Sequence, residues 1–158
     1  MSASGMAQRL GSYILFTVAG TTYALPSGEV RHMEMLEGVT RVPNAPTFVD
    51  GVVFSRGQVV PVVNLRARFG FERAAYDLRT RLIVVQAASR VIGLVVDSAR
   101  EFVNIPPESI QPPHEALAGM SGRYVEGVAS LGDKRLVLTL DLPRILNFAE
   151  SLPLDLNS

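Results

Sequence analysis

The sequence predicts an all-β protein made of two small β-barrels packed side by side, with short helices that include a C-terminal one. Three observations lead to this prediction. Short apolar runs alternate with turns along 158 residues that contain 13 glycines and 10 prolines, a pattern typical of strands rather than helix bundles. The runs fall into two similar series. Each series, of roughly 60–70 residues, is too small to bury a large core alone, so we expect the two to pack together.

The first series predicts one barrel over about residues 12–78, preceded by a disordered segment at 1–11. Its β-branched and aromatic runs predict strands at 13–18, 23–25, 51–54 and 58–63, with a short turn or strand at 29–33. The tight turn of the second hairpin is Arg56-Gly57, because glycine readily takes a positive φ there. A short helix is predicted over 64–69.

The second series predicts the other barrel over about residues 79–141. Its strands are predicted at 81–86, 91–97, 124–131 and 135–140, with a proline-rich loop at 105–113. Asp141 can cap a last helix over 142–149, which we expect to lie near the first barrel. The whole domain therefore spans 12–149, and residues 150–158 form a tail.

The two series match each other in sequence. The segment Phe48-Val-Asp-Gly-Val52 aligns with Tyr124-Val-Glu-Gly-Val128, and Val62-Val-Asn-Leu65 aligns with Thr139-Leu-Asp-Leu142. These matches favour an internal duplication. The alternative is that any two β-meanders of this size look alike.

Residues able to perform chemistry are few. The chain has no cysteine and only two histidines, His32 and His114, so disulfides, thiolate catalysis and zinc–thiolate sites are excluded. Neither histidine has an acidic or nucleophilic partner at catalytic spacing, and Asp97 and Asp141 stand where strands end, a place typical of hydrogen bonds to local backbone. We predict no catalytic residue, metal site or cofactor.

Charge is balanced overall but not locally. Fifteen Lys and Arg face 15 Asp and Glu, whereas a protein that binds nucleic acid normally carries a basic excess. Between Arg56 and Arg81 six arginines face Glu72 and Asp77, a local net charge of +4 (6 − 2). This run is either a patch for an acidic partner or a solvated surface. RNA binding is a weaker third interpretation, because aromatic residues are sparse there.

One run of residues carries a family resemblance. Gly51-Val-Val-Phe-Ser-Arg-Gly-Gln-Val-Val-Pro-Val-Val-Asn-Leu-Arg66 resembles the signature of the CheW family of chemotaxis coupling proteins, roughly Gly-Val-x-x-x-Arg-Gly-x-x-x-Pro-Val-x-Asp-Leu-Arg. The further matches, in the same order, are Tyr23-Ala-Leu-Pro26, Val42-Pro-Asn-Ala-Pro46, Gly93-Leu-Val-Val-Asp97 and Leu140-Asp-Leu142. The resemblance covers nearly the whole chain.

The resemblance implies a fold and a function. It implies two five-stranded SH3-like barrels packed face to face, with no active site. Such proteins bridge the cytoplasmic tip of methyl-accepting chemoreceptors to the regulatory domain of a CheA-type histidine kinase. The implied location is therefore the cytoplasm, with recruitment to membrane-associated receptor arrays but no direct insertion into the membrane. The receptor tip is a helical hairpin, which implies recognition of a helix in an apolar groove between the barrels.

The resemblance also implies site residues, although it places none of the kinase-binding ones. The receptor-binding positions of the family fall on Val30, Gly51, Arg56, Val91, Ile92 and Gly93. The valines and the isoleucine would be apolar anchors, the glycines would permit close backbone approach, and the arginine would brace the groove.

Three departures from the family pattern stand near this site. His32 replaces a common acidic residue, Asn64 replaces the usual aspartate, and Phe54-Ser55 replaces a polar–leucine pair. Arg56 would then pair with Glu34 or with an acid of the partner, and His32 and Glu34 would modulate the interface. The departures favour a divergent paralogue that serves a pilus-type or other pathway, or that has lost one partner. A small enzyme or ligand-binding barrel is a third hypothesis, which requires a pocket with convergent titratable groups.

Overall fold

A computed structural model describes residues 11–114, 121–132 and 134–147. The strands are β1 (Ser12–Val18), β2 (Thr21–Pro26), β3 (Val30–Met35), β4 (Val49–Ser55), β5 (Gln58–Asn64), β6 (Arg81–Ala87), β7 (Arg90–Val96), β8 (Ser98–Asn104), β9 (Ile110–Gln111), β10 (Val125–Ser130) and β11 (Leu136–Leu140). The α-helices are α1 (Leu65–Arg68) and α2 (Leu142–Ile145), and the 3-10 turns are Ser27–Glu29, Pro107–Ser109 and Ser121–Tyr124. The predicted all-β class is confirmed.

Some sequence predictions fall outside the described residues. These are residues 1–10 of the predicted disordered segment, the tail at 150–158, and residues 148–149 of the predicted last helix. Within the described part, that helix ends at Ile145, earlier than predicted. The sequence reasoning assigned no element to β8, whose middle residues are exposed and include the adjacent charges Arg100 and Glu101. Charge at successive positions hides the alternation that identifies a strand.

The strands form two sheets that exchange hairpins between the halves of the chain. One sheet has the order β8-β1-β2-β11-β10-β9 and the other β3-β6-β7-β5-β4. Parallel pairing of β2 with β11, and of β5 with β7, joins strands from opposite halves. The prediction that each barrel is one contiguous half, 12–78 or 79–141, is therefore wrong. Period-2 patterning fixes which face of a strand is buried, but it does not fix the neighbouring strand.

The sequence repeat nevertheless corresponds to repeated local structure. Asn64 and Asp141 each cap a four-residue helix by accepting a hydrogen bond from the backbone N–H three residues on. Their own N–H groups donate to the carbonyls of Phe48 and Tyr124, at 2.7 and 2.9 Å. The register shifts after Val49 in β4 and after Val125 in β10 occur at matching positions. Each half thus folds into the same local units.

Among the described residues, three hydrophobic clusters form the core, and the largest of the three lies between the sheets. The five-stranded sheet surrounds a small cluster that includes Val53, Val60 and Leu82, and the six-stranded sheet surrounds another that includes Leu15 and Val137. Alternate residues of the same strands point the other way into a shared central cluster. Its members from the strands include Ile14, Phe16, Tyr23, Leu25, Val63, Ile83, Val85, Ile92 and Leu94. Burial on both faces explains why these strands read as continuous apolar runs.

The centre of the shared cluster is aromatic. The ring of Phe69 lies 5.2 Å from that of Tyr23 and 5.4 Å from that of Tyr124, centroid to centroid. The guanidinium of Arg68 lies over Phe48 and Tyr124, at 4.5 and 5.0 Å from the ring centroids, so it contacts equivalent rings of the two halves. Burial lowers its pKa below the ordinary arginine value.

A second arginine links the sheets through Asp97, which joins β7 to β8. Arg66 donates to both Asp97 oxygens at 2.7–3.1 Å, and Asp97 also accepts the N–H of Ala19 at 2.8 Å. The Asp97 N–H donates to the carbonyl of Thr17 at 2.9 Å. A bidentate pair of this kind adds geometric specificity as well as energy, so the contact holds the β1–β2 turn against the end of β5.

Glu29 provides a pH-dependent prediction. Burial, followed by the nearby charges of Glu126 and Asp141, raises the pKa of Glu29 above its ordinary value of 4.5. A carboxyl group whose pKa is raised by folding destabilises the folded state as the pH rises through that pKa. We expect Glu29→Gln to raise Tm at pH 7.5, and the gain to shrink as the pH falls to about 4, where wild-type Glu29 is protonated.

Thermal melts of Glu29→Gln and wild type at several pH values measure this effect. Glu108→Gln, in the exposed second 3-10 turn, is the matched control. Equal pH trends in the two variants would contradict a role for the burial of Glu29.

Candidate partner-binding surface

The signature hairpin β4–β5 ends in the predicted two-residue turn. Arg56 and Gly57 have φ values of 47° and 86°, and the flanking Ser55 and Gln58 pair across the strands. Two successive positive φ values are the geometry of a type I′ turn, which matches the twist of the flanking strands. Arg56 is exposed. The turn therefore projects the signature arginine into solvent.

A polar cluster joins this hairpin to β3. The Nε2 atom of His32 lies 2.8 Å from Oε2 of Glu34 and 3.2 Å from Oγ of Ser55, and the Ser55 hydroxyl donates to the same Glu34 oxygen at 2.9 Å. β3 and β4 are the two edges of the five-stranded sheet. Side-chain hydrogen bonds across these edges help to close the sheet into a barrel.

This cluster overturns two sequence expectations. His32 does have an acidic and a hydroxyl partner, contrary to the sequence analysis, because Glu34 lies two positions along β3 and barrel closure brings Ser55 to the same nitrogen. One imidazole nitrogen faces both partners, whereas a catalytic triad uses the two nitrogens separately. Glu34 is engaged by His32 and Ser55, so the expected Arg56–Glu34 pair does not form. Within the described residues, Arg56 has no ion pair or side-chain hydrogen bond.

Three of the predicted receptor-binding positions are occupied by internal contacts. A Cβ on Gly51, whose φ is 146°, would lie 2.0 Å from the carbonyl oxygen of Thr40. A Cβ on Gly93 would lie 2.6 Å from Cδ1 of Leu82. Ile92 is only 4% exposed and belongs to the central cluster. These residues shape the surface from within rather than present an atom to a partner.

The other predicted positions are accessible. Val30 and Val91 are half-buried. Val30 packs at the margin of the central cluster, and Val91 packs at the margin of the small cluster inside the five-stranded sheet. Val30 pairs with Val85, which pairs with Ile92, so the three lie side by side on one face of the sheet. The strand directions place Val30, Val91 and the Arg56 turn at the same end of the five-stranded sheet.

The cationic run from Arg56 to Arg81 does not form a free basic patch. Arg66 pairs with Asp97, Arg73 with Asp50 and Arg79 with Asp77. Two others donate to backbone carbonyls: Arg68 to Ile145, and Arg81 to Leu78 and Thr80. Three of the six arginines are thus ion-paired and two more bond to backbone carbonyls, which leaves little basis for the RNA-binding interpretation.

Asn64, which stands where the family pattern has an aspartate, has a definite structural role. Its amide donates to Oδ2 of Asp50 at 2.9 Å, and its carbonyl oxygen caps α1. Asp50 also accepts two bonds from Arg73 and one from the Tyr76 hydroxyl. Burial and this hydrogen bond raise the pKa of Tyr76. A second carboxylate at position 64 would repel Asp50, which explains the amide.

An open groove of about 590 Å³ lies beside this cluster. The carboxylate, guanidinium and phenol that reach it from Asp50, Arg73 and Tyr76 are bonded to one another. Among the residues that the structure describes, no three His, Asp or Glu side chains are grouped as metal ligands would be. The helices in this described part of the chain include none that is long and apolar enough to cross a membrane. Three of the titratable groups that the enzyme hypothesis would need in this groove are therefore already paired with one another.

Two exposed apolar residues were not predicted as site residues: Phe54 was noted only as a departure from the family pattern, and Val59 was not singled out. Phe54 and Val59 face each other across β4 and β5, next to the Arg56 turn, and are 74% and 62% exposed. The available signal was strand alternation, because Val53 and Val60 point inward and their neighbours must point outward.

Two barrels share one core, and the β4–β5 hairpin presents an arginine at its tip. Comparison with known proteins gives the family of the chain. The CheW-like domain family matches residues 12–150. Chemotaxis protein CheW of Klebsiella aerogenes is 31% identical over 143 residues, 90% of this chain and 86% of the relative. Protein PilI of Pseudomonas aeruginosa is 30% identical over 117 residues, 74% of this chain and 66% of the relative.

Among solved structures, the scaffolding protein TtCheW from Thermoanaerobacter tengcongensis superposes with a TM-score of 0.79 at 27% identity. The match covers 87% of this chain and 92% of that one. The chain belongs to the CheW family. The predicted pair of SH3-like barrels is confirmed, although one sheet has six strands instead of five. As a CheW-family scaffold, the protein is not an enzyme.

Proposed function

We propose that the protein couples the cytoplasmic tips of methyl-accepting chemoreceptors to the regulatory domain of a CheA-type histidine kinase. It would act in the cytoplasm, recruited to receptor arrays at the membrane. Family membership supports the general role. The specific role, coupling of a receptor to a kinase, is supported by the exposed Arg56, which lies at the same end of the five-stranded sheet as the half-buried Val30 and Val91.

The receptor-binding site would consist of the positions that the family resemblance indicates. Val30 and Val91 would supply apolar contact with a helical hairpin, and Arg56 would bind a carboxylate on it. Gly51, Ile92 and Gly93 would act indirectly, since their internal contacts set the shape of the strands beneath. No residue is assigned to the kinase contact.

Replacement of Arg56 tests this site. We expect Arg56→Ala to weaken binding of a receptor cytoplasmic-tip fragment about tenfold, because the guanidinium would lose its carboxylate partner at the interface. Tm should change by no more than about 3 °C, because the side chain is exposed. Titration calorimetry and thermal melts measure the two quantities.

Arg100→Ala is the matched control, since Arg100 is an exposed arginine on β8 of the other sheet. Unchanged tip binding by Arg56→Ala, or an equal loss in Arg100→Ala, would remove Arg56 from the site. A pull-down at micromolar protein in which wild type retains neither the receptor tip nor the kinase domain would contradict the coupling function itself.

A second candidate function is supported by the hydrogen bonds among His32, Glu34 and Ser55. His32 and Ser55 occupy positions where the chain departs from the family pattern, and their bonds to Glu34 leave Arg56 without an internal acid. The protein would then be an adaptor of a pilus-type or other chemosensory pathway in which one partner has changed. Binding of a standard receptor tip and kinase domain together would exclude this candidate.

A further inference from the structure

The outer face of the β4–β5 hairpin is apolar beyond the region that the six-stranded sheet covers. On β5, alternate residues on this face run from Val63, which is fully buried in the central cluster, through half-buried Pro61 to exposed Val59. On β4 the paired positions run from Val49 through Val52 to exposed Phe54. The inner end of the face packs against the rest of the protein, and the outer end has no cover among the described residues.

Exposure of this outer end is unusual for its residue types. A phenylalanine that is 74% exposed, directly opposite a valine that is 62% exposed, forms a contiguous apolar pair rather than a scattered surface residue. Aromatic side chains and arginines are enriched among the residues that dominate binding energy at interfaces. Phe54 stands two residues before Arg56, so both types occur on one hairpin.

The charge of the hairpin indicates the chemistry of its partner. Arg56 has no ion pair within the described residues, and the acid of the hydrogen-bonded cluster, Glu34, is held by His32 and Ser55. A second copy of this chain would bring Arg56 against Arg56, which is repulsive if the contact is symmetric. A carboxylate on a different protein would instead neutralise the guanidinium.

The spacing of the pair fits a helix. Directly opposed residues in an antiparallel pair have Cβ atoms about 4.5–5.5 Å apart. Residues three or four apart on a helix surface have Cβ atoms about 5–6 Å apart. A helix laid across the hairpin can therefore place successive apolar side chains against Phe54 and Val59 while a carboxylate one turn away faces Arg56.

We propose that Phe54 and Val59 are specificity-determining apolar anchors for a partner helix that carries a carboxylate beside its apolar residues. The proposal rests on the coupling function, which it deepens by extending the receptor-tip site along the outer face of β4–β5. The two residues would supply apolar contact, and Arg56 would fix the register of the helix.

The first test compares Phe54→Asn and Val59→Thr with wild type. We expect Phe54→Asn to weaken binding of a receptor-tip helical hairpin about tenfold, and Val59→Thr severalfold. Binding of the kinase regulatory domain should change less than about twofold. Phe102→Asn is the matched control, because Phe102 is a 57% exposed phenylalanine on β8 of the other sheet. Equal tip binding by Phe54→Asn and wild type overturns the proposal, as does an equal loss in Phe102→Asn.

A second test does not depend on the coupling function. The probe is a lactam-bridged helical peptide with leucines four residues apart and a glutamate one turn away, and its lysine counterpart is the control. Backbone chemical shifts of the full chain should change on β4–β5 with the glutamate peptide. The changes should vanish in Phe54→Asn and with the lysine peptide. If millimolar peptide leaves the chemical shifts of this hairpin unchanged, the proposal that the hairpin binds a helix is overturned. Failure of wild type to bind any receptor tip would instead contradict only the coupling function.

Discussion

Gly51→Ala is expected to destabilise the protein by about 3–5 kcal/mol, the largest effect of any alanine replacement in the signature hairpin. The new Cβ would lie 2.0 Å from the backbone carbonyl oxygen of Thr40, and the φ of 146° is one that L-residues rarely adopt. Two hydrogen bonds of 2.8 Å between Thr40 and Val52 hold that carbonyl in place, so it cannot move away at low cost. A drop in Tm of roughly 10–15 °C follows.

Gly57→Ala provides the control within the same hairpin. Gly57 also has a positive φ, 86°, but its Cβ would meet nothing within 4 Å. The expected cost is therefore only the conformational one, about 1–2 kcal/mol. Chemical denaturation of both variants measures the difference. Equal losses would show that the Thr40 contact is not what requires glycine at position 51.

This result would also change how Gly51 is assigned to the binding site. A family position is easily interpreted as a partner contact when its replacement abolishes binding. Because Gly51 is required by an internal contact, its variants would lose binding through unfolding. Arg56, which is exposed, can report on partner contact directly.

Phe69→Ala is expected to cost about 3–5 kcal/mol, since it removes a fully buried ring from the centre of the shared cluster. Phe69 is 1% exposed and its ring contacts those of Tyr23 and Tyr124. These partners come from opposite halves of the chain. The loss should therefore weaken both barrels together, with one cooperative unfolding transition at lower denaturant.

Phe102→Ala serves as the control, because a phenylalanine that is 57% exposed leaves no buried cavity when truncated. Its free energy of unfolding should change by less than about 0.5 kcal/mol. Two separate transitions in Phe69→Ala, with one barrel unaffected, would contradict a shared core that stabilises both sheets.

Local features of this fold were predictable from sequence. The Arg56-Gly57 turn, the Asp141 cap and the start of α1 after Asn64 depend on residues within a few positions of one another. The repeat was visible because equivalent positions, such as Phe48 and Tyr124, keep similar side chains. Such signals require no knowledge of which strands become neighbours.

Long-range features were not predictable in the same way. The exchange of hairpins depends on parallel pairing of β2 with β11 and β5 with β7, and alternation contains no information about the partner strand. The bonds of Ser55 with His32 and Glu34 arise only when the barrel closes β3 against β4. Contacts between side chains that meet across strands were therefore less predictable than the local elements of the fold.

The central claim is that one molecule of this protein bridges a receptor tip and a kinase. A biosensor surface carrying the CheA-type regulatory domain tests it most directly. The receptor-tip fragment is injected alone, and then again after the surface has been saturated with the full chain. The coupling function predicts that the fragment is retained only in the second case, and that Arg56→Ala reduces this retention while still binding the surface itself. Retention of the fragment without the protein, or displacement of the protein by the fragment, would contradict bridging.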